Sequence, residues 1–311
     1  MRNETPPPIT ARQFLRYLGY LCYACSVVGP IMVMRELYSA AKRITRPILL
    51  GLFFLVVTLP LVWVVLSSFK TNPELFGNPW GLPKSPQWSN YPAGWEAVGG
   101  RSFFNSLIAT VATLVLLLPI GAMAAYVFAK YIFPGSKALF AAFLGGMMFP
   151  NFLVVIPLFF LLKSWGLYDT MTGLILAYVA YSLSFTIFVL TGFFQNIPNE
   201  LAEAALLDGC GHARTFWKVM LPLARPGLIV VGIFDAIGLW NEYPLAMVLM
   251  SSPENRTLPL GIADLAMNQN YQANWSALFA AMVLVMVPVL VVYWVFREKI
   301  QQAMLAGAVK G

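Results

Sequence analysis

The sequence predicts an all-α protein that crosses a membrane several times. Of its 311 residues, 59% are hydrophobic and only 11% are charged, whereas about a quarter of the residues of a soluble domain are charged. The mean hydropathy is +0.72. Several apolar runs reach about 20 residues, the length at which a helix spans about 30 Å of hydrocarbon. These observations favour a polytopic helical membrane protein over a soluble domain.

Six segments are predicted to cross the membrane, and short polar segments connect them. The third carries Pro150 and Pro157, whose freed backbone carbonyls need burial against protein or water, and the fifth is interrupted by polar residues. The predicted spans are 47–68, 103–129, 138–162, 173–194, 227–250 and 276–296. Residues 69–102 are predicted as an outer segment that is too polar to bury, 251–275 as an outer, turn-prone loop, and 297–311 as a short tail.

The basic residues predict the orientation of these spans. The net charge is +7, yet all but five of the 20 Lys and Arg residues fall on the side that holds both termini and the loop 195–226. The five on the other side are Lys70, Lys84, Arg101, Lys163 and Arg256. Basic residues concentrate in cytoplasmic loops, so both termini are expected in the cytoplasm. The positive charge therefore indicates topology and not nucleic-acid binding.

Residues 1–46 form an N-terminal extension whose apolar run, 17–34, has two interpretations. A spanning helix would place three arginines outside and give an odd number of spans, so a helix in the cytoplasmic membrane interface is favoured. The run starts late and has no A-x-A-type site, which argues against a cleaved signal peptide. Cys22 and Cys25 form a lone CxxC, which predicts no metal site.

The loop 195–226 carries the most informative pattern. Asn199 suits the N-cap of a short helix, and Gly209 suits a left-handed position at its C-terminal end. A second short helix is predicted to follow and to end at Pro222. Its apolar residues at helical spacing form one stripe: Ala213, Phe216, Trp217 and Met220.

The order of residues in this loop resembles the EAA loop of ABC importer permeases. Glu203-Ala204-Ala205 is followed after three residues by Gly209 and after nine more by Val219-x-Leu221-Pro222, with valine in place of the usual isoleucine. The resemblance implies that the loop docks into a cleft of a cytoplasmic ATPase. The residues expected to couple to that ATPase are Glu203, Ala204, Ala205, Gly209, Phe216, Trp217, Met220, Leu221 and Pro222.

Further segments are similar to the six-helix subunit of the maltose-type carbohydrate permeases. They are Ser67–Thr71, Asn105–Leu107, Ile156–Phe159, Gly166-Leu167, Trp240–Glu242 and Gly307–Gly311. The resemblance implies a six-helix ABC importer transmembrane domain in a bacterial plasma (inner) membrane. It also implies a second related permease, two ATPase subunits, an extracytoplasmic solute-binding protein and a sugar substrate.

The same resemblance implies that the chain is not an enzyme and binds no cofactor. The sequence lacks G-x-x-x-x-G-K-[ST], the glycine-rich loop that cradles nucleotide phosphates. ATP and Mg are therefore expected in the partner subunits. The small residues of Gly307–Gly311 favour a flexible, non-helical tail. The resemblance implies that this tail, including Lys310 and Gly311, reaches the ATPase dimer.

The fifth span contains the residues expected along a substrate path. Asp235, Gly238 and Glu242 recur at i, i+3 and i+7 and share one helical face, with Asn241 close by. Charges inside a membrane helix normally face a cavity or a partner, and Trp240 or Tyr243 is placed to stack on a sugar ring. The alternative is that both acids pair with polar groups of the second permease.

The outer segment 251–275 contains an amide-rich run: Asn268, Gln269, Asn270, Tyr271 and Gln272. Amide groups both donate and accept hydrogen bonds, which suits sugar hydroxyls or a protein cleft. In the resembled family the matching loop enters the cleft of the binding protein, so this run is expected to contact it. A plain connector is the alternative.

Three other functions were weighed against a sugar permease. An importer for a phosphodiester or a polyol keeps every feature above. A membrane-embedded enzyme needs a paired nucleophile and base or a metal cluster, and the single histidine, His212, lies in a loop. A secondary transporter would not need the Glu203 loop.

Overall fold

The computed structural model describes residues 45–272 and 274–308, without the side chains of 151, 268–272 and 300–308. The predicted interfacial run 17–34, the CxxC pair and the last two residues, Lys310 and Gly311, lie outside the described residues. The chain divides into two compact units between Trp63 and Val64. Residues 45–63 belong to the first unit, and the contacts reported below lie within the second.

Helices account for most of the described chain, and we number them in order. They are α1 Thr45–Ser68, α2 Asn72–Gly77, α3 Asn90–Val98, α4 Gly100–Lys130, α5 Ser136–Met148, α6 Asn151–Ser164, α7 Met171–Gln195, α8 Glu200–Leu207, α9 His212–Leu223, α10 Arg225–Trp240, α11 Pro244–Leu249, α12 Leu258–Gln272 and α13 Trp275–Ala308. A short 3₁₀ turn, Pro253–Asn255, precedes α12.

The described helices agree with six membrane crossings. Four are individually long and apolar enough: α1, α4, α7 and the Trp275–Lys299 part of α13. Two pairs reach that length only together, because α5 and α6 meet at a bend of 104° and α9 and α10 at a bend of 73°. The predicted all-α polytopic fold is confirmed, and because α9 lies in the loop 195–226, its bend with α10 marks where that loop meets the fifth span.

The third predicted span, 138–162, is not one continuous helix. α5 ends before Phe149, whose backbone is extended at φ −72° and ψ 126°. A residue that precedes a proline is pushed out of the helical region by the proline ring, and Pro150 follows. Pro119 and Pro157 lie inside continuous helices, so a proline alone does not predict the break.

The fifth predicted span, 227–250, is also broken. α10 ends at Trp240, and α11 begins at Pro244 after three non-helical residues. Proline fits the first turn of a helix, where its missing N–H has no partner to lose. Asp235 and Glu242 therefore do not lie on one continuous helix and do not share a helical face.

The centre of the second unit is the pair α4 and α7. A Cβ added to Gly121 of α4 would lie 2.4 Å from Cγ2 of Thr186 on α7, so glycine allows the two helices to touch. One apolar cluster extends from this pair towards α6 and α11, and another towards α9 and α10. The α4–α7 pair thus connects the region around the fifth span with the loop 195–226.

The outer segments are folded, and a helix within 251–275 corrects the prediction that this segment is a loop. In 69–102, Lys70 is 1% exposed, and its Nζ donates to the carbonyl oxygens of Asn78 and Pro79 at 3.1 and 2.8 Å. In 251–275, α12 replaces the predicted loop because Pro259 falls in its first turn, where proline is tolerated. The tail is helical to Ala308, so the expected non-helical tail is wrong for Gly307 and Ala308.

Candidate functional site

A cavity of about 830 Å³ lies between the α5–α6 bend, α7 and α10. Its volume is within the range of about 300–1,000 Å³ found for small-molecule sites. Its described lining is mainly apolar and aromatic with a few polar groups: Gly146, Met147, Met148, Phe149, Pro150, Phe152, Val154, Leu158, Ala177, Ala180, Tyr181, Ser182, Ser184, Phe185, Phe234, Asp235, Gly238, Leu239 and Leu245. The broken third span therefore supplies one wall of the cavity.

Asp235 and Gly238, two of the predicted substrate-path residues, line this cavity together. The Asp235 side chain is only 6% exposed, and Thr186 Oγ1 donates to its Oδ2 at 2.9 Å. The Ser182 hydroxyl is a second hydrogen-bonding partner. One turn further along α10, a Cβ added to Gly238 would have no atom within 4 Å, so the cavity is open at this position.

Glu242 has a different role from the one predicted. Its Oε1 and Oε2 accept the backbone N–H groups of Leu245 and Ala246 at 2.7 and 3.1 Å, which are free donors in the first turn of α11. Tyr178 Oη donates to Oε2 at 2.8 Å. Glu242 is 9% exposed and is absent from the described lining. Its carboxylate caps a helix instead of facing the cavity.

Trp240, predicted with Tyr243 as a candidate to stack on a sugar ring, does not line this cavity. Its ring is 6% exposed and packs against Phe103 with the ring centroids 5.4 Å apart. Asn241 is exposed, and its Nδ2 donates to the carbonyl oxygen of Ile237 at 2.8 Å. Neither these residues nor Tyr243 is among the described residues of the cavity lining. The break after Trp240 turns this stretch away from the face of Asp235.

The aromatic rings that do line the cavity come from other helices. Tyr181 and Phe185 lie on α7, and Phe185 meets Phe234 of α10 edge-on with the centroids 6.4 Å apart. The serines between them on α7, Ser182 and Ser184, also line it. A polar and aromatic cluster within an apolar helix is the sequence signal for this wall.

The alternative for the two acids, pairing with a second permease, stays a prediction; within their own chain both acids already have hydrogen-bond partners on α7. Asp235 bonds to Thr186 of α7, and Glu242 bonds to Tyr178 of the same helix. Both carboxylates therefore find hydrogen-bond partners within their own chain and join α7 to the two halves of the broken fifth span.

At the loop 195–226, the structure confirms the predicted turn at Gly209. Its φ is +83°, a conformation that glycine adopts without a steric penalty. The Cys210 N–H donates to the carbonyl of Ala205 at 3.0 Å, and the Gly209 N–H to that of Leu206 at 3.1 Å. These bonds satisfy carbonyls at the C-terminal end of α8. Asn199 holds the N-cap position without a side-chain capping bond.

Two of the four residues of the apolar stripe on the second helix, Phe216 and Met220, are buried, which corrects part of the coupling prediction, whereas Ala213 and Trp217 are exposed. Phe216 is 5% exposed and Met220 is fully buried, in a cluster with Tyr126 and Phe194. A π-helical turn over Phe216–Met220 changes the spacing on which the prediction relied. The two side chains are therefore unavailable to a partner's cleft in this structure.

The exposed part of the loop is a different set of side chains. Glu203 and Ala204 are exposed, whereas Ala205 is buried against its own chain. Leu207 is 88% exposed and Trp217 49%. Leu221 is half-buried and Pro222 is exposed. We call Glu203, Ala204, Leu207 and Trp217 the exposed coupling surface; Leu207 was missed because its exposure does not follow from the motif.

The C-terminal end of α4 holds both short helices of the loop. Lys130 Nζ donates to the carbonyl of Ile197 and to Asn199 Oδ1, the latter at 2.7 Å. Tyr131 Oη lies 3.0 Å from His212 Nδ1, and the histidine is exposed. The Asn199 side chain thus accepts a hydrogen bond from Lys130 of α4 instead of capping α8 as predicted.

A second cluster of polar contacts holds the outer loops. The backbone N–H groups of Ser251 and Ser252 donate to Asp169 Oδ1 at 2.9 and 3.1 Å. The Ser252 hydroxyl donates to Oδ2. Burial alone would raise the pKa of Asp169, but these hydrogen bonds outweigh it and hold the pKa below its ordinary value. We call Asp169 with Ser251 and Ser252 the outer clamp.

The remaining predicted site residues have no described side chains. Asn268 to Gln272 form the last turn of α12, which establishes their backbone position only. Their contact with a binding protein stays a prediction, as does the role of Lys310 and Gly311.

Comparison with known proteins decides the family. Residues 117–305 match the family described as the binding-protein-dependent transport system inner membrane component, and they include the coupling loop, the cavity and α12. The chain belongs to this family. This confirms the resemblance to ABC importer permeases and identifies a multi-pass inner-membrane transport protein.

Individual members of the family resemble the chain over most of its length. The diacetylchitobiose uptake system permease protein NgcG of Streptomyces coelicolor is 44% identical over 260 residues, which are 83% of this chain and 86% of that protein. The trehalose transport system permease protein SugB of Mycobacterium tuberculosis is 33% identical over 81% of this chain and 92% of its own. A chain of a bacterial ABC transporter that imports the acidic polysaccharide alginate has a TM-score of 0.71 and 26% identity, over 82% of this permease and 95% of its own length.

Proposed function

We propose that this permease is one of two membrane subunits of an ABC importer for a sugar or short oligosaccharide. The observation that carries the substrate class is the 44% identity, over 83% of the chain, to a permease named for diacetylchitobiose uptake. The names of the other relatives, such as trehalose, favour a sugar over a phosphodiester or a polyol.

The geometry of the cavity suits a sugar. A pyranose ring has hydroxyl groups at its edge and an apolar face of C–H groups. Asp235, Thr186 and Ser182 supply hydrogen-bonding groups on one wall, and Tyr181, Phe185 and Phe234 supply rings. A few polar groups in an otherwise apolar pocket are typical of small-molecule sites.

The partners that we propose rest on the family description and on the resemblance of the loop 195–226 to the EAA loop. The binding protein is part of the family description, and the run Asn268–Gln272 is our proposed contact with it. Two ATPase subunits would bind ATP and Mg and dock on the exposed coupling surface. A second, related permease would complete the path across the lipid, with both termini of this chain in the cytoplasm.

The coupling surface is connected to the cavity through α4 and α7. Lys130 and Tyr131 hold the loop to the end of α4, while Phe216 packs between α4 and α7. Thr186, further along α7, bonds to Asp235 in the cavity. Motion of the ATPases would thus reach the cavity through packed helices and not through a flexible link.

Uptake by cells that lack this gene tests the proposal. We expect accumulation of radiolabelled N,N′-diacetylchitobiose or another neutral disaccharide to be lost and to return with the wild-type gene. The Glu203→Lys variant should reach the membrane but fail to restore uptake. If the deleted strain instead loses uptake of glycerophosphocholine or sorbitol and keeps that of every sugar supplied, the sugar assignment is wrong.

A further inference from the structure

The charged group in the cavity bears on which sugars can pass through it. We propose that Asp235 makes the cavity selective for neutral and cationic saccharides and excludes anionic ones such as uronates. This rests on the proposed function, because it assumes that the substrate passes the cavity beside α10.

The first observation is the composition of the lining. Asp235 contributes a carboxylate, and none of the other described lining residues is Lys, Arg or His. A cleft with one sign of charge and low-dielectric walls concentrates the field of that charge. The potential inside the cavity is therefore negative.

The second observation is that the Asp235 carboxyl group is hydrogen-bonded but forms no ion pair within the described chain. Its partners, Thr186 and Ser182, are uncharged hydroxyls. The side chain is 6% exposed, so water screens it less than a surface charge. The ion pair found in the described part of the chain, Arg256–Asp264, does not involve Asp235.

The third observation concerns what the carboxylate can bind. An ionised carboxylate only accepts hydrogen bonds, and its two oxygens offer about four acceptor positions. Sugar hydroxyls, acetamido N–H groups and ammonium groups are all donors, whereas a uronate carboxylate is an acceptor with a like charge. The alginate importer takes an acidic polysaccharide, as its description says, so the two transporters should differ in this selectivity.

Charged thiol reagents at Gly238 test the inference without knowledge of the substrate. Gly238 lines the cavity, and a Cβ there has no atom within 4 Å. The Gly238→Cys variant is made after Cys22, Cys25 and Cys210 are replaced by serine. Membrane vesicles of both orientations, from cells expressing the whole transporter, are treated at pH 8 with cationic trimethylammonioethyl or anionic sulfonatoethyl methanethiosulfonate.

We measure the ratio of the reaction rates of the cationic and anionic reagents, and expect it to be at least about tenfold higher at Gly238→Cys than at Leu82→Cys, a control in the outer segment 69–102 where Leu82 is 77% exposed. Adding Asp235→Asn should lower the rate ratio at Gly238→Cys towards the control value and leave that at Leu82→Cys unchanged. Asp235→Glu, which keeps the charge, should retain the ratio and shows that loss of folding is not the cause.

Two results would overturn the inference. In one, the ratio at Gly238→Cys is the same with Asp235→Asn. In the other, neither reagent reacts there from either side, which means that the cavity is closed to water. Both results are read from thiol labelling and not from sugar uptake, so the inference can fail while the proposed function stands, and uptake by the gene-deleted strain tests that function separately.

Discussion

Single residues hold the broken fifth span in place, and Glu242 is the clearest example. Its carboxylate accepts two backbone N–H groups of α11 and the hydroxyl of Tyr178. Removing a helix cap costs about 0.5–2 kcal/mol, and a buried donor left without a partner costs about 1–3 kcal/mol. Glu242 is therefore more important for stability than its predicted place on a substrate path suggested.

We predict that Glu242→Ala lowers the thermal stability of the purified transporter in detergent more than Tyr178→Phe does. The first change removes the acceptor of three hydrogen bonds, whereas the second removes one donor and leaves the cap intact. The comparison is made by thermal unfolding. Equal melting temperatures for Glu242→Ala and the wild type would contradict the capping role.

The backbone conformation of Gly209 can be tested by substitution. Its φ of +83° lies in the left-handed region, which costs an ordinary L-residue about 1–2 kcal/mol. No atom lies within 4 Å of an added Cβ, so any effect of substitution is conformational and not steric. We predict that Gly209→Val abolishes most uptake while membrane insertion survives.

Gly209→Asn is the matched control for that prediction. Asparagine enters the left-handed region more readily than valine, so this variant should retain much more uptake. If both variants transport like the wild type, or if both fail equally, the conformation of Gly209 is not what the loop requires.

At the scale of an element, α9 has one face in the protein core and another exposed. We predict that Phe216→Ala destabilises the transporter by about 3 kcal/mol or more, because it empties a buried aromatic site. Trp217→Ala, at 49% exposure, should cost under about 1 kcal/mol but weaken association with the ATPase subunits. Thermal unfolding and co-purification of the ATPase measure the two effects, and a reversed pattern would contradict the assignment of the faces.

The outer clamp gives a prediction for acid pH. Since the pKa of Asp169 in the folded protein lies below its ordinary value of 3.8, its stabilising contribution is present above that value and is lost as the pH falls through the folded pKa. We expect the protection factors of the Ser251 and Ser252 N–H groups, which correct the exchange rate for its intrinsic pH dependence, to fall in that range. Asp169→Asn tolerates the backbone φ of +57° and should give low protection factors at every pH; an unchanged acid response in this variant would contradict the clamp.

Helices were predicted correctly from the sequence where the length of an apolar run is enough to define a membrane span. α4 and α7 agree with the predicted spans 103–129 and 173–194 to within a few residues. The breaks at Pro150 and Asn241 were missed, because Pro119 and Pro157 sit in continuous helices and no local rule separates the two cases. α12 was missed because Pro259 suggests a turn unless the helix start is already known.

For the whole molecule, the sequence predicted the loop 195–226 well and the cavity only in part. The coupling loop was found because its motif is local, with Gly209 at a fixed spacing from Glu203. The cavity joins α5, α6, α7 and α10, and its aromatic rings lie far apart in the sequence. Asp235 and Gly238 were found because they share one helical face, whereas Glu242 was misassigned because the helix ends before it.

Transport by the reconstituted complex tests the central claim most directly. The permease, its partner permease, the ATPase subunits and the binding protein are placed in proteoliposomes, and sugar uptake and ATP hydrolysis are measured together. We predict uptake that requires ATP and that falls to background in Gly238→Trp, since the indole fills the open side of the cavity, while the ATPase subunits still associate. Uptake without ATP, or undiminished uptake by Gly238→Trp, would contradict the claim that this chain carries the sugar through the cavity beside Asp235.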